Sequence, residues 1–167
     1  MFKKALLIAS LLPGLVTSAI ADSRDEVLII DPNGVLTYTP TTEDSLGKLA
    51  LNGRVLDVDV YWPPEVESLG TNGYDNFYAL SLPTGGSACL EKISVIKVND
   101  DGYHFSQLMS ACGGVRKYTL SDEEYAVIVD AIERDEETRV RYKVDQWDLK
   151  ISVTNYSDYQ GTELIGY

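Results

Sequence analysis

The chain has one histidine, two cysteines, two methionines and three phenylalanines among its 167 residues. These scarcities narrow the chemistry. His104 stands alone, so a zinc site built on two histidines is excluded. No glycine-rich phosphate motif follows a strand pattern, which leaves a nucleotide cofactor without an anchor. Basic residues are also short: 14 Lys and Arg against 26 Asp and Glu give a formal net charge of −12. A surface this acidic repels phosphate backbones, so nucleic acid is not an expected partner. Beyond the first twenty residues no apolar run is long enough to cross a bilayer as a helix. Internal repeats, low-complexity tracts and a lipobox cysteine are absent as well.

The N-terminus carries the first positive signal. Lys3 and Lys4, the apolar run Ala5–Val16 and the triplet Ala19-Ile20-Ala21 have the layout of a secretory signal peptide cleaved before Asp22. Pro13 and Gly14 interrupt the run, which is too short for a membrane anchor. Residues 1–21 are therefore expected to be removed, giving an exported product, periplasmic or extracellular, with no stable membrane insertion. The leader takes two lysines with it and leaves the mature chain two charges more negative. In an oxidising compartment Cys89 and Cys112 are expected to pair as a disulfide. The bridge closes a loop of about two dozen residues and is worth about 3 kcal/mol.

Apolar periodicity lays out the elements. Val27–Ile30 and Val35–Tyr38 flank Asp31-Pro-Asn-Gly34 and read as a hairpin, followed by a linker over Thr39–Asp44. A strand is expected over Arg54–Trp62, ended by Pro63-Pro64, and a long loop over Glu65–Asn76. Phe77–Leu82 and Cys89–Val98 are further strands. Asn99-Asp-Asp-Gly102 is a turn, from which Tyr103–Cys112 returns.

Ser121-Asp-Glu-Glu124 has the Ser-x-x-Glu form of a capping box, and Leu120 and Tyr125 sit where a hydrophobic staple would close. Tyr125, Ile128, Val129 and Ile132 follow the i, i+3, i+4, i+7 rule, so the spacing predicts a helix over Ser121–Arg134. Val140, Tyr142 and Val144 then alternate with Arg139, Arg141 and Lys143 as a half-buried strand. Ile151–Asn155 and Thr162–Tyr167 complete the sheet. Three strands, a helix and two strands make the order of an OB fold. The expected class is mainly β (α+β): a five-stranded OB-like barrel with one helix between strands three and four. Residues 22–48 form an N-terminal hairpin and linker, and residues 49–167 the OB-fold-like domain.

Tyr103–Cys112, Ser121–Arg134, Val140-Arg-Tyr-Lys-Val144 and Thr162-Glu-Leu-Ile-Gly-Tyr167 together resemble small exported bacterial OB-fold proteins. These include the sugar-binding B subunits of subtilase- and pertussis-like A–B toxins. Leu49–Trp62 with Pro63-Pro64 is similar to uncharacterised periplasmic OB-type domains. The resemblance implies the barrel, a disulfide early in it and a homo-oligomeric ring. It carries over no sugar-binding residue.

Eleven tyrosines stand against three phenylalanines. Aromatic rings with a polar tip suit sugar stacking and protein interfaces alike. Trp62 with Tyr74, and Trp147 with Tyr156, are the candidates for a ligand-binding rim, because OB folds bind through loops at one barrel edge. Asp57 and Asp59 share a strand face, but neighbouring acids on one face are usually solvated, and no catalytic residue is assigned. The acidic turns at Asp31 and Asn99 offer hard oxygens, yet neither is an EF-hand loop and turn chemistry accounts for both. No metal or other cofactor is assigned. The expected function is a non-enzymatic exported binding module recognising a glycan or cell-surface ligand. The alternative is a periplasmic inhibitor or immunity protein whose acidic face meets a protein partner.

Overall fold

Turn chemistry organises the first sheet. In the computed structural model, which describes residues 25–43, 45–86, 88–133 and 138–157, β1 (Glu26–Asp31) and β2 (Gly34–Thr39) form the expected antiparallel hairpin. A Cβ on Gly34 would lie 2.6 Å from the Asn52 side chain, whose Oδ1 accepts from the Val35 N–H at 2.8 Å. Asn52 and Gly53, both at positive φ (51° and 78°), then make the tight turn between β3 (Lys48–Leu51) and β4 (Arg54–Val55). The strand expected over Arg54–Trp62 therefore ends at Val55. Leu56, Val58 and Val60 still face one core, but they form no continuous ladder: the Leu56 N–H donates to Leu49 O at 2.9 Å, and Val60 makes an isolated bridge to Gly47. Alternation here reports a buried face rather than a ladder.

The central sheet has the order β5 (Glu65–Thr71), β6 (Asn76–Pro83), β7 (Glu91–Asn99). The short strands β8 (Gly102–Phe105) and β9 (Met109–Ser110) both pair with β7, on its other edge. Strand β5 replaces the long loop expected over Glu65–Asn76. It is an edge strand with a bulge between Ser68 and Gly70, and only Val66 and Leu69 are half-buried, so its composition is that of a loop.

The third sheet runs β10 (Val115–Ser121), β11 (Ala126–Ile132), β12 (Thr138–Asp145), β13 (Ile151–Ser157). The helix expected over Ser121–Arg134 is not formed: as far as Glu133 the segment is the end of β10, a turn and strand β11, and no helix occurs among the described residues. Its capping hydrogen bond does form, from the Glu124 N–H to Ser121 Oγ at 3.2 Å, but inside a four-residue turn that ends with Tyr125 at φ 48°. Strand β11 lies between two others, and Ala126, Val127, Ile128 and Val129 are all buried. A run buried on both faces satisfies helical spacing by default, and three consecutive β-branched residues favour the strand.

Side-chain parity shows how the sheets stack. Phe77, Ile93 and Val95 pack with Val127, Val129 and Val144 of the third sheet. Leu80, Leu82, Ile96 and Val98 pack on the opposite face with Leu36, Tyr38 and Leu49 of the first. The result is three β layers with the central sheet enclosed, the less common of the layered solutions. The mainly β expectation holds. The closed five-stranded barrel does not form: three separate antiparallel sheets share the strands. Cys89 and Cys112 are disulfide-bonded as expected, 23 residues apart, beside the pairing of Glu91 with Ala111. The leader at residues 1–21 and the Thr162–Tyr167 strand lie outside the described residues.

Candidate functional site

Hairpin connectivity brings the turns β5–β6, β7–β8, β10–β11 and β12–β13 to one end of the molecule. Two of them share a local pattern. Asn72-Gly-Tyr-Asp75 and Asp145-Gln-Trp-Asp148 each begin with a side-chain oxygen that accepts from the backbone two and three residues on. Asn72 Oδ1 takes the N–H groups of Tyr74 (3.1 Å) and Asp75 (2.9 Å), and Asp145 Oδ1 those of Trp147 (2.7 Å) and Asp148 (3.2 Å). Such Asx turns fix the backbone at the tip and turn the aromatic side chain outwards.

The tips enclose a cleft of about 650 Å³. Tyr74 (92% exposed), Tyr125 (63%) and Trp147 (79%) line it, together with Asn72, Gln146 and the carboxylates described below. Gln146 is buried and holds three turns together. Its N–H donates to Tyr125 O at 3.0 Å, its Nε2 donates to Ser121 O at 3.1 Å, and its Oε1 accepts from Asn72 Nδ2 at 3.0 Å. Lys97, only 8% exposed, reaches up from β7 and donates through Nζ to Gln146 O (3.2 Å) and Trp147 O (2.5 Å). A buried ammonium must be compensated, and here two carbonyl dipoles do so while fixing the Trp147 turn. Three aromatic faces on such a braced floor form a preorganised site, which keeps the ordering cost of binding low.

The structure brings Tyr74 and Trp147 together. Trp62 lies elsewhere: its indole rests against the backbone of Gly85, past the far end of β6, whose eight residues span roughly 23 Å. Tyr156 pairs in register with Arg139 in β13, five residues beyond the Ile151 end that adjoins the Trp147 turn; its side chain lies outside the described residues. Tyr125, read from the sequence as part of a buried helical face, joins the cleft. Asp57 and Asp59 are exposed on a separate hollow with Tyr61 and Lys92, and His104 is exposed on β8. Among the described residues no group of three or more His, Cys, Asp or Glu side chains is placed to hold a metal. In the acidic turns, Asp31 Oδ1 accepts from the Asn33 N–H and Asn99 Oδ1 from the Asp101 N–H, in ordinary Asx turns.

A second carboxylate group sits between the central and third sheets, where Glu65, Glu67 and Glu91 surround Ser81 and Tyr118. Burial, and then the charge of Glu65, push the Glu91 carboxyl above its ordinary value of 4.5. Between 4.5 and that raised value the folded chain holds a proton that the unfolded chain has lost, so stability falls as pH rises through this window. Glu91→Gln, whose amide oxygen keeps an acceptor for Ser81 Oγ, is expected to raise the melting temperature at pH 7. Melting curves of the two proteins should converge below pH 4.5.

No protein-family model matches the chain, and no curated protein matches it in sequence.

Proposed function

We propose that this protein is an exported, non-enzymatic binding module that receives a glycan in the cleft lined by Tyr74, Tyr125 and Trp147. One observation carries the reading: three exposed aromatic side chains from three different hairpins line the same hollow, above a hydrogen-bonded floor. Exposed aromatics scattered singly need no explanation, whereas their convergence on a cavity with a few polar groups is the usual make-up of a ligand site. The apolar face of a pyranose ring stacks on such side chains, and its hydroxyls meet amides and carboxylates. The Cys89–Cys112 bridge supports an oxidising, exported location. The second reading, an inhibitor or immunity protein, draws on the acidic surface and predicts capture of a basic protein that weakens steeply with salt.

Calorimetric titration with a panel of mono- and oligosaccharides tests the proposal. Trp147→Ala should remove a central aromatic contact worth about 2 kcal/mol, a loss of roughly thirtyfold in affinity. Trp62→Ala should leave affinity unchanged. A panel without a single saturable titration would overturn the reading.

A further inference from the structure

The charge around the cleft selects among glycans. Three carboxylates line it, those of Asp75, Asp101 and Asp122, against the single ammonium of Lys97. Asp75 is already engaged: its Oδ1 accepts from Asn99 Nδ2 at 2.9 Å and its Oδ2 from Asn72 Nδ2 at 3.3 Å. Lys97 is buried and directed at two backbone carbonyls. Asp101 and Asp122 differ from both. They are exposed, and their carboxylates make no hydrogen bond or ion pair among the described residues. They come from different turns, Asp101 from β7–β8 and Asp122 from β10–β11, and both line the cleft with Tyr74, Tyr125 and Trp147.

Unengaged carboxylates at the mouth of an aromatic hollow repel an anionic sugar and attract a cation, and the ring faces add to that attraction. We infer that the cleft takes a glycan bearing a free amino group, with the ammonium held by Asp101 and Asp122 and the sugar ring stacked on the aromatic wall. This inference rests on the glycan-cleft reading and narrows it to one ligand class. An N-acetylated hexosamine has the same ring but no charge, and a carboxylated sugar has the wrong charge.

The test compares oligomers of glucosamine with N-acetylglucosamine oligomers of equal length. Binding is measured by calorimetry below the amine's pKa, at low and at physiological salt. The free-amine oligomer should bind at least tenfold more tightly. In an Asp101→Asn, Asp122→Asn double variant this preference should collapse while the weaker binding of the acetylated oligomer persists. A preference that survives Trp147→Ala would mark non-specific attraction to an acidic surface and overturn the inference. Equal or tighter binding of the acetylated oligomer would also overturn it, while leaving a glycan cleft in place. Binding of neither oligomer, with the wider saccharide panel also silent, would remove both readings.

Discussion

Phe77→Ala is expected to cost about 3–5 kcal/mol, and Leu80→Ala about 2–5 kcal/mol, although the two side chains point to opposite faces of β6. Phe77 is fully buried among Ile93, Val95, Val127 and Val129, and Leu80 is 2% exposed among Leu36, Leu49, Ile96 and Val98. Each truncation leaves a cavity among fully buried aliphatic side chains held on paired strands. Such losses lower the melting temperature by roughly 10 °C. The pair of variants tests the three-layer arrangement itself. In a sheet with one wet face only one of the two would matter. Urea denaturation of both variants should show midpoints well below the parent, and a near-neutral Leu80→Ala would contradict the enclosure of the central sheet.

Loss of the disulfide is the second large expected effect. Cys89 precedes β7 and Cys112 follows β9, so the bridge fastens the two ends of a 23-residue excursion that forms one edge of the central sheet. Loop-closure entropy puts its contribution at about 3 kcal/mol. The excursion includes β8 and the Asn99 turn, and its loosening would reach the cleft as well. A Cys89→Ala, Cys112→Ala variant should unfold at clearly lower denaturant, and reductant should shift the parent to the same midpoint while leaving the variant unmoved. Coincident curves for oxidised and reduced parent would contradict a stabilising bridge.

Much of the sheet structure was legible because it is written locally. The Asp31-Pro-Asn-Gly34 hairpin and the Asn99–Gly102 turn carry local turn signals, the Phe77–Leu82 strand is a short apolar run, and β12 shows a two-residue period. Strand β11 was misread for a reason rooted in burial. Flanked by two strands and buried on both faces, it lost the alternation that marks a strand, and Ser121 made the same contact that a helix cap makes. Strand β5 failed in the other direction: an exposed edge carries glutamates, serine and glycine and looks like a loop.

The candidate site shows the same division. Tyr74 and Trp147 stood out as aromatics in polar turns, and the Asx pattern they share was present in the sequence as a sign that their turns are built alike. Their meeting was not legible, since it depends on hairpins of two stacked sheets ending side by side. Tyr125 was hidden by the helix reading. Lys97 looked like one polar position in an apolar strand, and only the stacking of sheets shows that it runs beneath the third layer to hold the Trp147 turn.

The central claim is that this cleft binds a glycan, and tryptophan fluorescence tests it directly. The chain has two tryptophans, so Trp62→Phe leaves Trp147 as the sole reporter, in the wall of the cleft. Saturable quenching or a blue shift on addition of a sugar oligomer, lost in a Tyr74→Ala, Tyr125→Ala background, is the result the account predicts. Emission that stays unchanged across the saccharide panel at millimolar concentrations, with the protein folded and oxidised, would contradict it.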